Sequence, residues 1–248
     1  MKHLKYLVVV LALLLSVFLA GCGDGPTPGP NKPSKTVDEL KTEVQTALDA
    51  YVAADHGSFK LIAVDGDKTS TVDMTFNYDV EKSGILSLKT VLTNANGELS
   101  CYVEDDQAYV NRYGQAKNVV KMSSKEGEEI ANNYCFEVLC ESVVVMLNDS
   151  FFKALTIDSD KDGVVKATLG IGVYDISNEE ESDTLTTIFD GIKEKSSVTL
   201  EVAYTEGAVS SIKVILVGEV TSSLELQLLG TSTSDIEIAF PDFSDYTK

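Results

Sequence analysis

Between residues 73 and 80 the chain alternates strictly. Met74, Phe76, Tyr78 and Val80 are apolar, while Asp73, Thr75, Asn77 and Asp79 are polar. A period of two matches the pleat of a β-strand with one face buried and one face wet, and a helix of period 3.6 cannot use it. Residues 59–64, 85–93, 99–104 and 107–112 read likewise, and Asp65-Gly66 and Asn96-Gly97 suit tight hairpin turns between them. Strands joined so closely pair antiparallel. A one-sided antiparallel sheet needs a cover on its apolar face, and helices are the candidates to supply it.

Two long helices are expected. Thr36-Val37-Asp38-Glu39 forms a capping box. Behind it Leu40, Val44, Ala47, Leu48 and Tyr51 fall on one face of a helix that ends near Ala54. Ser123-Ser124-Lys125-Glu126 reads as a second capping box, opening a helix over residues 124–147 with Ile130, Tyr134, Val138, Val143 and Met146 along one stripe. Its second half is apolar on most faces, which places it inside the molecule. Strand patterns then resume. Val165, Ala167, Leu169, Ile171 and Val173 alternate, a helical piece covers 183–192, and strands follow at 198–204, 212–217, 224–228 and 236–240, with Glu206-Gly207 as a hairpin turn. The expectation is an α+β fold, a single domain over residues 36–248. In it a strongly curved antiparallel sheet wraps around an N-terminal helix and a long central apolar helix.

The N-terminus has a different character. Lys2 and Lys5 precede an uncharged run over residues 6–20, which closes on Leu19-Ala20-Gly21-Cys22. A basic start, an apolar stretch and small residues before a cleavage point make a signal-peptide pattern, and the run is short for a spanning helix. The last four residues resemble the lipobox of bacterial lipoproteins. That resemblance implies removal of residues 1–21 and a diacylglycerol thioether (with palmitate-type acyl chains) on Cys22. It also implies anchoring to the cell membrane on its extracytoplasmic face. Residues 22–35 hold four of the five prolines and read as a semi-extended spacer, long enough to lift the body about 30–40 Å from the lipid.

Charge narrows the function. The leader carries two lysines and no acid, so its loss takes the net charge from −19 to −21. Arg112 is the one arginine. Such a chain repels phosphate backbones, so no nucleic-acid partner is expected. His3 leaves with the leader and His56 alone remains, which removes histidine-built zinc sites and leaves little for a nucleophilic triad. There is no tryptophan to form a sugar platform beside the many carboxylates, and no phosphate-cradling glycine motif. No enzymatic constellation is expected. Asp158-Ser-Asp160-Lys-Asp162-Gly163 resembles the start of a calcium loop, with three carboxylates at alternate positions; position twelve is Leu169 rather than a bidentate Glu, and a polar hairpin loop is the alternative. Cys101, Cys135 and Cys140 read as small apolar packing residues.

The order of elements, an N-terminal helix, two meanders and a central helix between them, resembles the LolA-like half-barrel of lipoprotein carriers and mycobacterial lipid-binding lipoproteins. The resemblance implies an apolar space between sheet and helix that accepts acyl chains of a lipid, another amphiphile or another lipoprotein. Here Met74, Phe76, Tyr78, Tyr134, Val138 and Met146 would line it, although the same residues also suit a closed core. The alternative is an acidic surface protein that meets a partner and holds no small molecule. If Cys22 carries the anchor, Cys22→Ser moves the protein from the membrane pellet to the soluble extracytoplasmic fraction. Detergent phase partitioning of both forms checks this.

Overall fold

A computed structural model describes residues 35–79, 84–112, 115–179 and 182–247. The leader, Cys22 and most of the spacer therefore lie outside the described residues. Helix α1 (Val37–Val52) starts where expected: Thr36 Oγ1 accepts from the Glu39 amide, and the Glu39 carboxylate accepts from the Thr36 amide at 2.7 Å. The Thr36 amide and the Thr36 hydroxyl both donate to the Glu39 carboxylate and hold it below its usual range. Leu40, Val44, Leu48 and Tyr51 are buried.

Six strands follow: β1 (His56–Asp65), β2 (Lys68–Asp79), β3 (Gly84–Asn94), β4 (Gly97–Glu104), β5 (Gln107–Asn111) and β6 (Asn118–Lys121). After an interlude of helices come β7 (Leu155–Lys161), β8 (Val164–Leu169), helix α6 (Asp183–Lys193), β9 (Ser197–Thr205), β10 (Ala208–Val217) and β11 (Ser222–Ser232). All eleven form one open antiparallel sheet in the order β6-β5-β4-β3-β2-β1-β11-β10-β9-β8-β7. It is two meanders joined where β1 pairs with β11. Asp105-Asp106, Asp162-Gly163 and Glu206-Gly207 have left-handed φ at both turn positions, the geometry that matches strand twist. The turn expected at Asn96-Gly97 falls one residue earlier, because Asn94 pairs with Gly97 and its side chain accepts from the Asn96 amide at 2.8 Å. The Asp65-Gly66 turn moves one residue later, since Asp65 pairs with Lys68.

The β1–β11 seam contains a bulge at Ser58/Phe59. Tyr51 resolves it. Its hydroxyl donates to the Ser58 carbonyl at 3.0 Å and accepts from the Gly230 amide, so one phenol on α1 ties both strands.

The expected helix over 124–147 is corrected to three pieces: α2 (Lys125–Asn133), α3 (Phe136–Leu139) and α4 (Glu141–Met146). A fourth, α5 (Asp149–Lys153), follows. Cys135 is extended at φ −125° and ψ 162°, Cys140 is irregular, and Asn148 caps α5 by accepting from the Phe151 amide. The reason lies in the run itself. A straight helix apolar on most faces could bury only one of them. The breaks let Ile130, Phe136, Cys140, Val143, Met146, Leu147, Phe151 and Phe152 all turn inward. The second capping box also shifts: Ser124, not Ser123, is the cap and accepts from Gly127. A Cβ on Gly127 would be driven into the carbonyl oxygens of Lys121 and Met122.

Two strand expectations are also corrected. β8 ends at Leu169, and residues 170–175 turn away, with the Gly170 carbonyl accepting from Val173 and Tyr174; Lys193 Nζ takes the Ile171 and Tyr174 carbonyls, and Val173 is 74 % exposed. Residues 236–240 are no strand, because β11 already has partners on both sides. The tail instead crosses the outer face of the first meander as a strap. Asn77 clasps it, accepting from the Ile236 amide at 2.8 Å and donating to its carbonyl at 2.9 Å. Phe243 stacks on Tyr109 at 3.7 Å and packs against Tyr102, and the Val119 amide on β6 donates to the Thr247 carbonyl at 2.9 Å. The outer face of the second meander stays wet. A ladder of alternating charge, Lys166, Glu201, Lys213 and Glu225, runs across β8 to β11.

Tyr51→Phe keeps the ring but strands two part-buried backbone groups at the seam. It is expected to cost about 1–3 kcal/mol, read as a lower urea midpoint at unchanged slope.

Candidate binding cleft

The helix-bearing face of the first meander is built in rows. Phe76, Leu88, Val103 and Ala108 pair across β2 to β5, and Met74, Thr90, Cys101 and Val110 form the next row; all eight are buried. Val72, Leu92 and Leu99 begin a third row, which Arg112 continues just past β5. This row is only partly covered, leaving Leu92, Leu99 and Arg112 half-exposed.

A cleft of about 400 Å³ results. Val72, Thr90, Leu92 and Leu99 floor it, Ile130, Tyr134 and Leu139 form the apolar wall, and Arg112, Glu126, Glu129 and Asn133 mark the rim. Arg112 Nη2 lies 3.4 Å from Glu126 Oε1, with both side chains well exposed, so this pair adds little to stability. Burial raises the Tyr134 phenol, with a smaller push from Cys101. Thr90 is 1 % exposed, and its hydroxyl has no hydrogen-bond partner among the described residues. That is costly in a row otherwise made of Met, Cys and Val.

Of the residues expected to line a cavity, Tyr134 lies in this cleft. Met74, Phe76 and Met146 are packed in the core, and Met74 also borders a second hollow of about 360 Å³ with Phe59, Asp73, Lys89 and Leu229. Tyr78 stacks on Phe76 at 4.7 Å, and its hydroxyl donates to the Tyr134 carbonyl at 3.3 Å. Val138 is 48 % exposed and outside the cleft, its neighbour Leu139 taking the wall position. The break at Cys135 rotates that turn. Arg112, Glu126, Glu129 and Thr90 were not singled out from the sequence as site residues. The one arginine and the one hydroxyl within an apolar alternation were the signals that could have found them.

Asp158, Asp160 and Asp162 do not converge. The first two lie along β7 with a register shift between Ile157 and Ser159, and Asp162 is in the turn. Asp158 accepts instead from Thr168 Oγ1 at 2.7 Å. Among the described residues no group of three His, Cys, Asp or Glu side chains could share a metal ion. The three cysteines are free thiols, and burial pushes Cys101 and Cys140 up to about 12. His56 shares Asn77 Oδ1 at 3.1 Å and faces Asp235 at 3.5 Å, as part of the strap clasp. No described helix is long and apolar enough to cross a membrane.

No known family model matches the chain, and no curated protein sequence is similar to it. Among solved structures it is similar to MucB in complex with MucA(peri), with a TM-score of 0.28 and 10 % identity over 76 % of this chain and 57 % of that one. A LolA superfamily protein from Nitrosomonas europaea gives a TM-score of 0.23 and 9 % identity over 77 % of this chain and 94 % of that one. The chain thus spans little more than half the length of the MucB chain. Superpositions this loose carry no argument about function.

Thr90→Val removes a hydroxyl that nothing in the described protein satisfies. It is expected to stabilise the unliganded protein by about 1 kcal/mol, read as a higher thermal midpoint.

Proposed function

We propose that this is an extracytoplasmic protein, lipid-anchored through Cys22, that binds one apolar chain of a lipid or other amphiphile in the cleft. On this reading the sheet is the wall of a LolA-like half-barrel, and the open end of its inner face is the binding site. The observation that carries it is the row of Val72, Leu92 and Leu99, left partly uncovered beneath Ile130, Tyr134 and Leu139. An apolar floor with a few polar groups at the mouth is the usual composition of a small-molecule site, and the volume falls at the small end of the usual range. That size suits one chain rather than three. Each buried CH₂ contributes about 0.8 kcal/mol, so a chain must bury on the order of ten to reach micromolar affinity.

A second reading has its own observation. Two of the three rows are closed core, so most of the inner face offers no space at all. This favours the acidic interaction protein, with the cleft as a surface dimple. The readings separate on one experiment. Fluorescent fatty acid displacement and native mass spectrometry are expected to show a single lipid bound per chain. Leu92→Glu with Leu99→Glu is expected to abolish binding while leaving the unfolding free energy from urea titration within about 1 kcal/mol, because both side chains are already half-exposed. No bound lipid in either assay would leave the interaction reading standing.

A further inference from the structure

Resting on the cleft reading, we infer that the site selects a single-chain amphiphile with a zwitterionic head, its anionic group on Arg112 and its cationic group between Glu126 and Glu129. The rim holds one fixed positive charge and two negative ones. Arg112 is the only arginine of a chain with formal net charge −19, and it is at the cleft mouth. A guanidinium presents a planar fork of donors suited to a phosphate or carboxylate. Only Nη2 is engaged, and at 3.4 Å from Glu126 that contact is longer than the roughly 2.7–2.9 Å of a strong charge-assisted bond. The other guanidinium donors have no partner among the described residues. Glu129 has no cationic partner there either.

A purely anionic head could take the open donors of Arg112, but it would add negative charge to a rim that is already net negative. A purely cationic head would satisfy the glutamates and meet Arg112 as a like charge. A zwitterion answers both signs at once, with no fixed charge left over but that of one carboxylate. Thr90 supplies an independent observation. Its hydroxyl is buried and unpartnered on the cleft floor, one row inside Leu92, where an ester carbonyl linking head to tail could accept it. The tail then lies over Val72, Leu92 and Leu99.

The test uses the mature chain carrying Cys22→Ser, so that no acyl group of its own competes. Four probes of equal chain length are titrated below their micelle concentrations by calorimetry: lysophosphatidylethanolamine, an alkyl phosphate, an alkyltrimethylammonium and a monoacylglycerol. The zwitterion is expected to bind about tenfold more tightly than either probe of one charge sign. Arg112→Gln is expected to bring the cation level with the zwitterion, and Glu126→Gln with Glu129→Gln to do the same for the anion. Thr90→Val is expected to weaken the ester-linked lysolipid severalfold and spare its ether analogue. Equal affinity for all four probes, or tightest binding of the alkyl phosphate, overturns the head-group assignment while leaving the cleft reading intact. No binding of any probe overturns the cleft reading itself. Flotation with phosphatidylethanolamine vesicles separates the two sources of this head group. Uptake of the monomer without flotation supports an extracted lipid, and flotation without uptake overturns the site.

Discussion

The pairing of β1 with β11 is the interaction on which the rest depends. Every other neighbouring pair in the sheet joins strands consecutive in sequence, so each meander could form from local contacts. Among the pairings between neighbouring strands, the seam alone joins opposite ends of the sequence, and its closure carries the largest entropic cost of them. What offsets that cost is the inner face. Phe59 on one strand and Leu226 on the other are fully buried with α1 above them, and Tyr51 locks the bulge from the helix side. Without the seam each meander would expose one more unpaired edge. With it the sheet has two edges, β6 and β7.

Much of this was legible from residue pattern. The alternation around Met74 and Phe76, the capping box at Thr36 and the Glu206-Gly207 turn each report a local rule, and each appears in the structure. The seam was not legible, because nothing in β1 or β11 names its partner. The central helix misled for a related reason. Uniform apolarity in residues 135–147 says that the segment is inside, but carries no periodicity to say how it lies there. Asn132, Asn133 and Asn148 were the local signals for the breaks, and their meaning depends on a sheet that they do not contact in sequence. β6 was missed because four residues are too few to show a period.

The cleft was half legible. Tyr134 was marked by its place on an apolar stripe, whereas Arg112, Glu126 and Glu129 come together only because β5 ends beside α2. Thr90 shows the same dependence on context. Polar in an apolar row, it would pass in sequence for an ordinary strand residue. The row across β2 to β5 makes its hydroxyl an exception, buried and without a hydrogen-bond partner among the described residues.

The strap has a consequence for how the molecule comes into being. Residues at the far end of the chain, Ile236 to Thr247, cover strands that emerge first during synthesis, and the clasp at Asn77 joins positions 159 apart. Delivered N-terminus first, the early strands must wait half-dressed, their aromatic Tyr102 and Tyr109 bare, until residues 236–247 arrive. The outer face of the first meander is therefore finished only after the second meander has been made, and without residues 236–247 it would present a sticky outer wall to its surroundings.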